Sequence, residues 1–535
     1  MGIRLQRLLA LAWALVACGS SGGGSRGYLA LPQVAYQGGG LLTAPKIVNV
    51  TFSGDPLAPE LQTFGESITA SAWWNAIRTG YCEGSGGVCV GDGSSSMVEL
   101  RTAAEVTYTD SAEGGPSTFQ QWLASAVSSG QLPSPGPGAI SNTVYVVYLP
   151  VTTTITIDGV ASCSAEGFGG YHNIWQASSS QKVPYGVIAE CAPLTPPFPN
   201  IATNTLLQDT TIDASHEILE AVTDPNPPTG YALDGTNPDN WGWIDVTGGG
   251  EAADMCVDLL GLNQDQTTDG SFTVQRIWSN SRALASLEPC NPAPAGDVYF
   301  NAAPNQAFFV LDVGASATFD VRAFSFGVMK DWTLLAQDWS DSATATYLSF
   351  SIEGGTETQA GPSMQVNNGS TVHVTVTLTQ DPGALDTGEA DGAIVSFAGD
   401  PNSPTAGHLW PFAVMSTADA MDAGISPGTT ERPTLGAPVK ATRTTIGLEK
   451  RNGLPDTLHA EGSSVPESGL PESRLRNGPV SGHRLWPGAD RPAPTPIVYA
   501  TRLARRKALA TWQNSMACRG GGVFQREPDQ GGCRL

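Results

Sequence analysis

The chain has 535 residues and carries 50 Asp plus Glu against 27 Lys plus Arg, a formal net charge of −23. Charged residues are only 14% of the total while Gly and Pro number 62 and 39, a composition that favours loop- and strand-rich architecture over a helical bundle. The acidic balance, with no basic patch before the carboxyl-terminal tail, excludes nucleic acid as a partner.

In chain order, residues 1–18 have the layout of an export signal: Arg4 and Arg7, then the apolar run Leu8 to Leu15, then Leu15-Val16-Ala17-Cys18, which resembles a bacterial lipobox. The apolar run is too short to span a bilayer. On this reading Cys18 becomes the lipidated first residue of the mature protein, 19–39 is a Gly/Ser-rich tether, and the protein sits on the outer membrane or cell surface. A plain cleaved signal is the rival, and it also sends the protein out of the cytoplasm.

Residues 40–294 read as an α/β domain, a mixed sheet with packed helices. Lys46 to Phe52 and Thr143 to Leu149 are β-branched and aromatic runs of strand length. Leu61 to Ile77 and Thr118 to Ser129 read as amphipathic helices. Six cysteines fall here, at Cys82, Cys89, Cys163, Cys191, Cys256 and Cys290, an even number that predicts disulfides in an exported protein. Cys82 and Cys89 bracket a small Gly-rich loop; Cys163 with Cys191 and Cys256 with Cys290 are the next expected pairs.

The chemistry concentrates at Ala214-Ser215-His216-Glu217-Ile218-Leu219-Glu220. Ile212, Leu219 and Val222 have helical spacing, and Asp224-Pro225 stops the pattern. On a helix, His216 and Glu220 project from one face and can grip one cation, with Glu217 beside them. The segment resembles the zinc-hydrolase signature His-Glu-x-x-His with its second His replaced by Glu. A third ligand is expected from Glu251 or Asp254, in Gly250-Glu251-Ala252-Ala253-Asp254-Met255-Cys256, and the unused carboxylate of that pair is expected to anchor the other nitrogen of His216. The bland alternative is a polar helix face with no ligand.

Residues 295–420 form a string of short strands (Ala307 to Val313, Ala317 to Ala323, Ala345 to Ile352, Thr371 to Thr379, Gly392 to Gly399) with turns such as Asn367-Asn368-Gly369, the pattern of an all-β, immunoglobulin-like sandwich. Residues 421–535 read as a disordered basic tail. From Glu431 onward it holds 16 of the chain's 27 basic side chains but 9 of its 50 acidic ones, without hydrophobic periodicity. A shifted reading frame would produce the same abrupt change, so Cys518 and Cys533 receive no functional weight.

Several scattered segments line up in one order: Trp73-Trp74, Cys163 before Gly167-Phe168-Gly169-Gly170-Tyr171-His172, Val183 to Cys191, the His216 segment, Glu251 to Cys256, and Gln275-Arg276-Ile277-Trp278-Ser279-Asn280 before Cys290. Together they resemble the EXORDIUM, or phosphate-induced protein, family and its bacterial relatives over about residues 40 to 292. The resemblance implies a secreted, wall-associated protein without a settled biochemical activity. Its Ser-His-Glu-x-x-Glu-Ala and Glu-x-x-Asp-x-Cys segments look like a degenerate zincin site, which implies a zincin-like α/β fold. Ala252 and Ala253 stand where an aliphatic residue commonly precedes the Asp in that family. His172 matches a family position and is an auxiliary ligand or substrate-orienting residue, or else a loop histidine bonded to backbone.

Two functions compete at this point. In the first, His216, Glu220 and Glu251 or Asp254 hold zinc, or a harder cation such as manganese or calcium, and Glu217 is the catalytic base of a peptidase-like hydrolase. In the second, the cation or the carboxylate cluster staples a loop in a non-enzymatic surface protein, and exposed Trp241 and Trp243 stack on the sugars of a wall polymer.

Overall fold

The computed structural model describes residues 28–429 except 85, 112–116, 158, 165–166, 194–200, 227–241, 246–249, 259, 286, 341–344, 359, 386–387, 401–402, 423–424 and 427. The export signal, Cys18, the start of the tether, Trp241 and the basic tail after residue 429 lie outside the described residues. Among the described residues no helix is long and apolar enough to cross a membrane. Residues 28–36, which composition assigns to the tether, are built into the fold: Leu31 and Val34 are buried, and Ala35–Tyr36 pairs with Trp243–Asp245.

The chain is mixed α/β with strands in the majority. Its amino-terminal part is organised by β1 (Lys46–Phe52), α1 (Ala58–Ser67), α2 (Ala72–Ile77), β2 (Ser94–Leu100), α3 (Thr118–Ser128), β3 (Thr143–Leu149), β4 (Gly170–Ser178), β5 (Gln181–Ala189) and α4 (Leu206–Thr223). The sheet order is β2-β1-β3-β5-β4, parallel except for the antiparallel edge strand β4. Every residue of β3 is buried, as a central parallel strand covered on both faces requires. Its side chains alternate: Val144, Val146 and Tyr148 join the core under α1, α2 and α4, while Tyr145, Val147 and Leu149 join the core under α3.

The helix expected over Leu61 to Ile77 is two helices separated by a 3-10 turn, Ile68–Ala70. Ser71 leaves helical geometry and caps α2 by accepting the Trp74 amide, so the local cap overrides the continuous apolar periodicity. The hairpin of β4 and β5 has no counterpart among the strands that the sequence predicts. In β5 the run of burial from Val183 to Ala189 hides the alternation that marks a half-exposed strand.

The carboxyl-terminal part contains a four-stranded and a six-stranded sheet in a sandwich-like arrangement. The first runs Phe300–Pro304, Ser316–Ser325, Thr371–Leu378, Leu348–Ile352; the second runs Phe308–Leu311, Ser403–Ser416, Glu389–Asp400, Trp332–Asp338, Gly361–Val366, Thr356–Thr358. Val372, Val374, Val376 and Leu378 alternate into the core, where they belong with Leu334, Ile394, Trp410 and Phe412. The same core extends to Cys256, Trp278 and Ala283, which brings the loop after Glu251 against the sandwich.

All three expected disulfides are present: Cys82–Cys89, Cys163–Cys191 and Cys256–Cys290. The second ties the approach to β4 to the end of β5; the third ties the loop after Glu251 to the strand Cys290–Asn291. Three disulfides are the mark of a protein that folds in an oxidising, extracytoplasmic compartment.

Candidate metal centre

Helix α4 begins with a capping box, in which Thr205 and Gln208 satisfy each other's backbone amides, and ends where Asp224 donates its amide to Glu220 O at 2.7 Å. Every residue from Thr210 to Thr223 is buried. Ala214, Ile218, Leu219, Ala221 and Val222 fill the sheet-facing core, which turns His216, Glu217 and Glu220 toward β4 and the 251–254 loop. The strand β8, here Phe272–Gln275 after β6 (Trp243–Asp245) and β7 (Gly250–Glu251), supports the far side of the helix. Ser215 Oγ accepts the Gln275 amide at 2.8 Å, and the Thr211 hydroxyl donates to Thr273 O at 2.6 Å.

Around α4 the structure brings together His172, His216, Glu217, Glu220, Glu251 and Asp254, the residues expected at the metal centre. His216 Nε2 lies 2.9 Å from Glu220 Oε2, 3.5 Å from Asp254 Oδ1 and 4.0 Å from Glu217 Oε1. One ligand atom from each of His216, Glu220 and Asp254 falls within 4.8 Å of the others, so these buried residues could hold a metal ion. Glu251, the alternative third ligand, groups instead with His172 and Glu220.

The orientation of His216 follows from Gln275. The Gln275 amide nitrogen donates to Ala253 O at 2.7 Å, so its oxygen faces His216 Nδ1 at 2.9 Å as an acceptor and Nδ1 carries the proton. This corrects the expectation that a carboxylate of the Glu251/Asp254 pair anchors that nitrogen; Asp254 Oδ2 accepts the Glu251 amide instead. With Nδ1–H committed, Nε2 points at two carboxylate oxygens and needs either a second proton or a cation there. Glu220 is fixed as firmly, because its other oxygen accepts the amides of Ala253 and Asp254 at 3.2 Å each.

His172 sits on β4 rather than in a loop. Strand alternation sends its neighbour Tyr171 into the α3-side core and His172 to the opposite face, under α4. Its Nε2 lies 3.2 Å from Asp224 O, and its Nδ1 lies 3.3 Å from Glu217 Oε2 and 3.8 Å from Glu220 Oε2. Glycines make room for this contact: a Cβ on Gly170 would stand 2.9 Å from Glu217 Cγ, and one on Gly169 would collide with Asp213. Asp224, read from sequence only as a helix stop, is a fifth buried carboxylate of the cluster; its Oδ1 accepts the Gly242 amide at 3.0 Å.

Burial and the crowding of carboxylates raise the proton affinity of this cluster. Burial raises Glu220 to about 7 and Asp224 to about 6. Burial, with Glu220, Asp224 and Asp254 alongside, pushes Glu251 well above the carboxylate range. Burial alone would lower both histidines, but the carboxylates outweigh it: Glu220 and Glu217 raise His216 well above its ordinary value, and Glu217 raises His172. Among the described residues both Glu251 carboxylate oxygens and Asp224 Oδ2 are buried with no N–H or hydroxyl donor, and the Glu251 and Asp224 carboxyls face each other. A hard divalent cation fits such an oxygen-rich set with one imidazole. The His216 and Glu217 side chains keep 7% and 8% exposure while those of His172, Glu220, Glu251 and Asp254 keep 3% or less, so the cluster's small exposed surface lies at His216 and Glu217.

Trp243 is not an exposed stacking platform. It is half-buried, packs edge-on against Tyr81 and donates its indole N–H to Cys82 O at 3.2 Å.

No known protein family matches the chain, and no curated protein matches it. Partial similarities to solved structures exist. A conjugative transposon lipoprotein from Bacteroides eggerthii aligns with 22% of this chain and 95% of its own, at 9% identity and a TM-score of 0.17. Domains 1–6 of the surface layer protein SbsC align over 28% of this chain and 15% of their own, at 15% identity and a TM-score of 0.15. Likenesses of this extent leave the chemistry to the chain's own residues.

Proposed function

We propose that this chain is an exported, lipid-anchored protein, a bacterial relative of the EXORDIUM group, whose zincin-like site binds a divalent cation and hydrolyses peptide-type bonds. The observation that carries the reading is the commitment of His216 Nδ1–H to Gln275, which aims Nε2 at Glu220 and Asp254. His216, Glu220 and Asp254 are the ligands. When bound, the cation supplies Lewis acidity and lowers the pKa of an attacking water. A shell of two carboxylates and one imidazole donates more charge than three imidazoles, which suits manganese as well as zinc. Glu217 receives the proton from water and returns it to the leaving group. His172 Nδ1 lies 3.3 Å from the Glu217 carboxylate that makes that transfer.

A second reading has its own support: Glu220 and Asp224 already tie α4 to the 253–254 loop and to Gly242 through backbone amides, as a structural staple would. Metal analysis of the purified protein, followed by Glu217→Gln, separates the two. The hydrolase reading expects Glu217→Gln to keep its metal and to cleave a peptide library about 10² to 10⁴ times more slowly than wild type. Tight metal binding by a wild type that cleaves nothing leaves the staple.

A further inference from the structure

The ligand set of the proposed hydrolase leaves four buried groups of the same cluster unused: His172, Glu251, Asp224 and Glu217. Their arrangement is not that of a spectator shell. His172, Glu220 and Glu251 form a second trio whose ligand atoms all lie within 4.8 Å of one another, and the two trios have Glu220 in common. The Glu220 oxygen that faces His216 at 2.9 Å also faces His172 Nδ1 at 3.8 Å, while the other Glu220 oxygen is occupied by two amides. His172 Nε2 meets the Asp224 carbonyl, an acceptor, so that nitrogen carries the proton and the lone pair of Nδ1 is directed at the Glu217 and Glu220 oxygens. Both histidines therefore present an electron pair to the same carboxylate oxygen from two sides.

Glu251 adds an independent observation. It is fully buried; its carboxyl faces that of Asp224 within hydrogen-bonding range, no N–H or hydroxyl donor reaches either of its oxygens among the described residues, and the nearest imidazole nitrogen is His172 Nε2 at 3.6 Å. No Lys or Arg pairs with Glu217, Glu220 or Glu251 among the described residues. Fully ionised, the five carboxylates carry five negative charges; one divalent ion neutralises two of them and a second ion two more, which lowers the cost of burying them in ionised form.

We infer that the cluster holds two divalent cations, one on His216, Glu220 and Asp254 and the other on His172, Glu220 and Glu251, with Glu220 as the bridge. The inference rests on the metal-centre reading above and extends it from a mononuclear to a dinuclear site, of the kind in which paired ions about 3.5 to 4 Å apart clamp one reacting group.

The test uses the full chain stripped with chelator and titrated with Mn²⁺ alone, read by bound-metal analysis and electron paramagnetic resonance. Two Mn²⁺ per chain with an exchange-coupled spectrum is the expected result. Glu251→Gln should bind a single Mn²⁺ and show the six-line signal of an isolated ion, and His172→Gln should do the same if the first variant does not fold. Wild type that takes up one Mn²⁺ with an uncoupled spectrum overturns the second site; if it still cleaves peptides in a Glu217-dependent way, the hydrolase reading survives that failure. Wild type that binds no Mn²⁺ overturns both.

Discussion

Stripping divalent ions from the folded protein should make it progressively less stable between pH 5 and pH 8, and restoring them should reverse the trend. Burial raises Glu220 to about 7 and Asp224 to about 6, against unfolded-chain values near 4. Between the unfolded and folded values the native state holds more protons than the unfolded chain, so stability falls as the pH climbs through that window. Each shift corresponds to roughly 3 kcal/mol at about 1.4 kcal/mol per pH unit, and the pair to less than twice that because they titrate against the same neighbours. Glu251, His172 and His216 are all shifted upward and act in the same sense: their stabilisation is present at low pH and is lost as the pH passes their folded values. A bound cation takes the place of these protons and binds best to the deprotonated ligands, so it stabilises most where the stripped protein is weakest. The assay is a series of thermal melts from pH 5 to pH 8 in EDTA and in Mn²⁺. A loss of a few kcal/mol predicts a drop of several degrees in Tm across the EDTA series. Glu190, raised to about 8 by burial and Asp55, and Asp258, raised to about 7 by burial and Asp265, contribute a falling trend with or without metal. The difference between the two series isolates the cluster. Equal melting temperatures at pH 5 and pH 8 in EDTA, unmoved by Mn²⁺, refute the reasoning.

Gln275→Leu removes the acceptor on His216 Nδ1 and the donor to Ala253 O, and should weaken metal affinity about 10- to 100-fold by equilibrium dialysis while the far-ultraviolet dichroism stays native. Gly170→Ala places a methyl group 2.9 Å from Glu217 Cγ, and should lower peptide turnover more than it lowers metal content. Replacing Cys256 and Cys290 together by Ser opens a link spanning 34 residues and should cost about 2 to 4 kcal/mol in denaturant melts, with metal affinity reduced because Asp254 lies beside Cys256.

Much of the scaffold was legible because its signals are local. The strands Lys46–Phe52 and Thr143–Leu149 and the end of α4 at Thr223 follow from β-branched runs and from Asp224-Pro225. The strands Trp332–Asp338 and Ser403–Ser416 lack a local signal, because unbroken burial over Trp332–Gln337 and over the last five residues of the second removes the alternation that marks a strand. Likewise His216, Glu217 and Glu220 announce themselves by helical spacing, whereas His172 lies 44 positions earlier on an edge strand and had only its Gly-rich approach to mark it.

The amino-acid sequence by itself determined the even set of cysteines that form the disulfides, the acidic character, the helix that carries His216, Glu217 and Glu220 and the acidic residues available to join them, since each depends on residue type or on spacing within one element. Only the tertiary structure decided that Asp254 joins His216 while Glu251 joins His172, that Gln275 sets the histidine tautomer, and that Asp224 is part of the cluster. Those choices depend on distances between chain segments that meet only when α4 packs between β5 and β8, and no local pattern encodes such a meeting.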